Sequence, residues 1–299
     1  MEERLLDDRA LESSSVVANN AMNRERRLDG VNSYARELGF NPLDWVVARI
    51  GRAVGDEPVR WLDLCCGSGR GLIEAADRLA RAGLDRRVAI VGVDLVDFFD
   101  PSSHPSELLR LTCASVTSWT PPHRFDLITC VHGLHYVGDK LGLLTRVAGW
   151  LTDDGIFSAD LDLDNIRLED GRPGGRRLVA ALRAAGFTVD LRRRRIGRTE
   201  TSARTSHTET STRTSHTETS TRTSHTETSA RSDRREAAAH SGHIEARERP
   251  PSLPFTYLGA DDRAGPNSTG QPAVNSHYAE QSRRRSAARR TAAATPGHA

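Results

Sequence analysis

The chain has 299 residues and a formal net charge of +2, enough for one large or two ordinary domains and too near neutral to imply a polyanionic partner by charge alone. Apolar residues concentrate before residue 197 and are almost absent from 198–250, so the core is expected within about 150–200 residues, ample for independent folding. Four cysteines, two of them adjacent at Cys65 and Cys66, show neither a disulfide framework nor zinc spacing and suit a reducing cytoplasm; the first residues lack a signal-peptide pattern, and no run approaches the ~20 apolar residues of a membrane span.

In chain order, residues 1–15 are polar and expected to be disordered. From 16 to 56 the apolar spacing fits short helices. One runs from Ala21 to a capping Gly30, one covers Tyr34–Leu38 and closes at Gly39, and one starts at Pro42. Apolar runs then alternate with helical patterns. Strands are expected at 59–64, 88–93, 108–113, 125–131, 155–161 and 187–196, with helices at 70–82, 139–150 and from Pro173 to Gly186. Strands alternating with helices predict a parallel sheet covered on both faces, with ligands at the carboxyl ends of the strands.

The informative stretch is Trp61–Gly71. An apolar run meets Asp63, then glycines stand at the alternate positions 67, 69 and 71, and a helix-compatible segment follows. Glycine permits a sharp turn and close approach of a ligand to the main chain, and the helix start offers unpaired N–H groups. The dinucleotide fingerprint G-x-G-x-x-G/A fails, because its sixth position from Gly67 is Leu72. No G-x-x-x-x-G-K-[ST] loop occurs either. Instead a second acid, Asp94, ends the next apolar run, where a carboxylate can accept both hydroxyls of a ribose.

This arrangement resembles the class I S-adenosylmethionine-dependent methyltransferases, over roughly residues 57–196. The resemblance implies an α/β, Rossmann-like sheet of order 3-2-1-4-5-7-6 with an N-terminal helical lid, and S-adenosylmethionine as cofactor. It places Asp63, Gly67, Gly69 and Gly71 at the methionine part and Asp94 at the ribose. Cys65 stands where the family's first glycine usually does. Ser68, Leu95, Ala114 and Ser115 join the cofactor-binding set by position, and Tyr34 and Arg36 of the lid are candidate substrate contacts.

Methyl transfer from a sulfonium is a direct displacement, so alignment and exclusion of water supply much of the rate. A base is needed only for a nucleophile that holds its proton tightly. Both roles would fall after the fourth strand, in Cys130–Val137. His135 is the first candidate for general base or substrate orienter, since histidine titrates near neutral pH. His132 is the second, also on the cofactor side, and Tyr136 is a substrate contact. The Asp/Asn-Pro-Pro-Tyr/Phe motif of the base- and amine-methylating branches is absent there, which favours a small-molecule acceptor. No metal cluster is read from the sequence. An RNA or protein acceptor, or an inactive cofactor-binding regulator, stays open as an alternative.

A nine-residue unit starting at Arg204, Arg213 and Arg222 carries His207, His216 and His225. It has no apolar residue and cannot bury a core, so disorder is expected. Nine residues make two and a half helical turns, which would put successive histidines on opposite faces. The later run Phe255–Leu258 is read as the seventh strand, making 197–252 an expanded loop in the hairpin of strands six and seven, a cost that grows slowly with length. The arginine-bearing end, 279–299, is expected to be a solvated, disordered tail.

Overall fold

The computed structural model describes residues 5–14, 17, 25–53, 55–101, 107–199, 251–263 and 272–281. The expected disorder of 200–250 and of 282–299 lies outside the described residues.

Short helices α1 (Asp8–Glu12), α2 (Tyr34–Leu38) and α3 (Pro42–Ile50) precede the sheet. Strands β1 (Val59–Leu64), β2 (Val88–Asp94), β3 (Leu109–Cys113), β4 (Phe125–Cys130) and β5 (Leu151–Asp160) pair parallel with one another. Helices α4 (Arg70–Arg81) and α5 (Lys140–Trp150) lie between them in the chain. Beyond β5 come β6 (Ile166–Leu168), α6 (Gly175–Ala184), β7 (Phe187–Asp190) and β8 (Arg195–Thr199). The seven-stranded sheet has the order β3-β2-β1-β4-β5-β8-β7, with β8 antiparallel to both neighbours. This is the expected Rossmann-like order 3-2-1-4-5-7-6, β6 lying outside the sheet.

Alternation along the central strands divides the core. Trp61 and Leu127 face a layer built from α2, α3 and α4, while Leu62 and Ile128 face α5 and α6. Every residue of β4 is buried, as a strand covered on both faces requires, which is why it reads as a nearly continuous apolar run.

Three expectations need correction. The seventh strand is Arg195–Thr199, not Phe255–Leu258, so the hairpin turns within 191–194 and the repeat follows it instead of interrupting it. The turn has no glycine or proline to announce it. Asp190 makes it by accepting N–H bonds from Arg192 and Arg193 at 3.0 Å each, the Asx-type device of turns. Residues 5–14 are ordered by contact with the later chain: Leu6 pairs with Ala260, and Leu11 is buried on α1. Residues 25–33 form a loop bridged by Arg27 and Ser33, not the end of a helix.

Phe255–Leu258 belongs instead to β9 (Phe255–Asp261), which pairs antiparallel with β10 (Asn275–Glu280), itself parallel to β6. This three-stranded sheet is bolted to the start of α5. The fully buried Lys140 ammonium donates to Val137 O at 2.9 Å, Val274 O at 3.0 Å and Ser276 Oγ at 2.8 Å. The Tyr278 hydroxyl accepts from Leu141 N and donates to Asp139. No helix among the described residues is long and apolar enough to cross a membrane.

Candidate functional site

The carboxyl ends of β1, β2, β4 and β5 meet at one edge of the sheet. After β1 the chain adopts left-handed φ at three alternate positions: 57° at Cys65, 62° at Gly67 and 74° at Gly69. Cys65 therefore occupies a conformation that favours glycine, and this backbone requirement explains why a glycine is the usual residue there. Gly71 is different. It is helical, and a Cβ on it would stand 2.6 Å from Tyr34 Cε2, so it is needed for close packing of the lid.

The turn is tied to β2 through Asp94. Its Oδ2 accepts from Gly67 N at 2.8 Å and its Oδ1 from Val96 N at 3.2 Å. Both carboxylate oxygens of Asp94 accept backbone N–H groups, and these bonds orient it at the end of β2. Leu95 O accepts from Cys113 Sγ, and Ala114 N donates to Asp94 O. Ser115, half-buried, has its hydroxyl bonded to Glu12 of α1 and to Thr117. Cys65, Gly67, Ser68, Gly69, Asp94, Leu95, Ala114 and Ser115, the residues expected on the cofactor side, thus stand in consecutive loops at one end of the sheet. The start of the twelve-residue α4 faces them with its first-turn N–H groups.

Asp63 sits beneath this turn and is fully buried. It accepts from Tyr34 Oη at 2.5 Å and from Thr129 Oγ1. Burial raises its carboxyl to about 6, against these two hydrogen bonds. The expectation that Tyr34 contacts substrate is corrected: it is buried, edge-on to Trp61, with its hydroxyl committed to Asp63. Arg36 is also displaced from the site. Residues two apart on a helix do not share a face, so with Tyr34 inward Arg36 is exposed and donates to Val31 O. Changing Tyr34 to Phe should cost about 1–3 kcal/mol by removing a donor from a buried carboxyl. Urea unfolding measures this, and an unchanged midpoint would mean the pair is worth little.

Sequence reasoning missed two groups. Arg26 is buried, with its guanidinium 5.5 Å from the Tyr34 ring centre, and its charge favours the ionised forms of Asp63 and Asp160. Glu37 sits three residues after Tyr34 on the inward face of α2, a spacing that could have signalled it.

On the acceptor side, His132 takes a left-handed φ of 58° just after β4, and strained backbone of this kind concentrates at functional sites. Its backbone N–H donates to Asp160 Oδ2 at 3.0 Å, and its ring stacks on His135 with centroids 6.0 Å apart. Half-buried Tyr136 stands edge-on to His135 at 6.4 Å. The structure brings His132, His135 and Tyr136 together as expected but overturns their titration. Burial, then the Arg26 charge, lowers His132 to about 3, and burial, then Lys140, lowers His135 to about 4. Both imidazoles are neutral at pH 7 and poor bases. Asp160 moves oppositely, to about 6, chiefly through burial.

Residues 34–172 match the family model described as a methyltransferase domain, just under half of the chain. No curated protein matches the sequence significantly. Among solved structures, the plantazolicin methyltransferase BpumL in complex with SAH is similar at 16% identity and a TM-score of 0.32, over 41% of this chain and 47% of that one. The DszA carbon methyltransferase gives 14%, 0.34, 39% and 32%. A putative S-adenosylmethionine dependent methyltransferase from Listeria monocytogenes gives 18%, 0.29, 43% and 63%. The chain spans about half the length of the BpumL structure it matches, and overlaps this slight assign it no acceptor. Residues 34–172 thus match a methyltransferase domain, in keeping with the resemblance of the turn and of the sheet order to the class I, S-adenosylmethionine-dependent methyltransferases.

Proposed function

We propose that the protein transfers a methyl group from S-adenosylmethionine to a small-molecule acceptor held between α2, the loop after β4 and the end of β5. The observation that carries this reading is the joining of the left-handed turn at 65–69 to Asp94 through Gly67 N. It presents backbone donors and a ribose-binding carboxylate along one edge. Asp94 would take the ribose hydroxyls, the 67–69 backbone and the start of α4 the methionine part, and buried Arg26 its carboxylate. The cofactor supplies a methyl carbon activated by a sulfonium.

His132, His135 and Tyr136 face the acceptor side. Neutral imidazoles cannot store a proton there, so their part is to orient the nucleophile by accepting a hydrogen bond. Rates between pH 6 and 8 should then show no histidine limb, and His135→Gln should lower turnover by the same factor at both ends of that range. A limb near pH 6.5 that disappears in this variant would restore the general-base role. The overall reading is tested by S-adenosylhomocysteine formation from the full chain with a panel of oxygen, nitrogen and carbon nucleophiles. Formation with RNA and with none of the small molecules would replace it.

A further inference from the structure

Glu37 of α2, His132 after β4 and Asp160 at the end of β5 come from three separate elements, yet each offers one donor atom within 4.8 Å of the others. His132 Nε2 lies 3.7 Å from Glu37 Oε2, and Nδ1 lies 3.5 Å from Asp160 Oδ2. Both separations are too long for good hydrogen bonds; an imidazole gives one nitrogen to an ion, so only one of them can be an edge of the site, and either lies near the ~3.4 Å between two ligands of one tetrahedral ion with bonds of ~2.1 Å. His132 is more than nine-tenths buried, and its Nδ1 has no hydrogen-bond partner. A buried polar atom left in this state requires an explanation.

We propose that Glu37, His132 and Asp160 bind one divalent transition-metal ion, of the Zn²⁺ or Mn²⁺ class, that latches the lid helix α2 to the carboxyl ends of β4 and β5. A donor set of one imidazole and two carboxylates suits these ions better than Ca²⁺ or Mg²⁺. Two carboxylates flanking an imidazole also gain most from a cation, because the charge of Glu37 acts unfavourably on Asp160. Arg26 and Arg195 offset part of that repulsion and are the resident competitors that a doubly charged ion must outmatch. Three protein ligands leave a position open, as in catalytic zinc sites. On the methyl-transfer reading, that position takes an oxygen of the acceptor and holds it for attack.

The test is calorimetric titration of the chelator-treated full chain with Zn²⁺, Mn²⁺ and Mg²⁺ salts, alongside S-adenosylhomocysteine in a separate cell. The expected result is one Zn²⁺ or Mn²⁺ per chain, bound at least tenfold more tightly than Mg²⁺. Glu37→Gln, a near-isosteric change at a partly exposed side chain, should weaken it at least 100-fold, since even residues that only support metal ligands are worth 10–100-fold. Asp160→Asn should act likewise. Replacing His207, His216 and His225 of the repeat with Ala should leave the tight site intact. Ion binding unchanged in Glu37→Gln, or lost in the repeat variant, would overturn the proposal, as would no stoichiometric binding by the wild type. Retained S-adenosylhomocysteine binding in Glu37→Gln separates failure of the metal site from failure of the methyl-transfer reading.

Discussion

Asp94→Ala should weaken binding of S-adenosylhomocysteine by about 30- to 1,000-fold, corresponding to roughly 2–4 kcal/mol for hydrogen bonds made to a charged group. Two effects combine. The variant removes the carboxylate proposed to accept the ribose hydroxyls, and it takes from Gly67 N the acceptor that holds the turn at 2.8 Å. Asp94→Asn keeps an acceptor oxygen without the charge and should fall between the two. Calorimetry on the folded variants checks the order. Equal affinity in all three proteins would mean that the cofactor lies elsewhere on the sheet.

Lys140→Met should lower stability by about 3 kcal/mol, because it strips the donor from three buried acceptors at once. At roughly 2–4 °C per kcal/mol for a domain of this size, the melting temperature should drop by about 6–12 °C. The pH dependence has a definite sign. Burial lowers Lys140 to about 7, with the charges of Asp261, Asp139 and Asp162 opposing it, whereas an unfolded lysine titrates near ~10.4. Between these values the unfolded chain holds the extra proton, so wild-type stability rises with pH from 7 towards 10. That rise should disappear in Lys140→Met, and thermal melts of both proteins across the window measure it. A parallel pH dependence in the two would remove Lys140 as its source. The same residue ties Val274 and Ser276 of the C-terminal chain to the loop carrying His135, whose carbonyl accepts from Val274 N at 2.9 Å. Loosening of the acceptor side should therefore accompany the loss of stability.

What the sequence revealed and what it hid divide along a physical line. The turn at 65–71 was legible because its requirement is local. Left-handed backbone demands glycine at 67 and 69, and the apolar runs on either side announce strand and helix. Asp94 was legible because it ends a strand at a topologically defined place. Tyr34 and Arg36 were misplaced because the sequence marked a lid helix without saying which face turned inward. The packing of the Tyr34 ring over Gly71 decides that face, and it brings Glu37 to His132. The hairpin after β7 was hidden because its turn is made of arginines held by one aspartate side chain. The second sheet was hidden because its pairings run from Ile166 to Ser276 and from Leu6 to Ala260, distances over which no sequence period operates. The histidine titrations were misjudged for a related reason: burial sets them, and burial is a property of the folded surroundings.

Calorimetric titration of the wild-type chain with S-adenosylhomocysteine, set against the same titration with NAD, tests the central claim most directly. The turn, Asp94 and the failed dinucleotide fingerprint together predict one S-adenosylhomocysteine per chain and no NAD. Binding of NAD with no binding of S-adenosylhomocysteine would contradict the account.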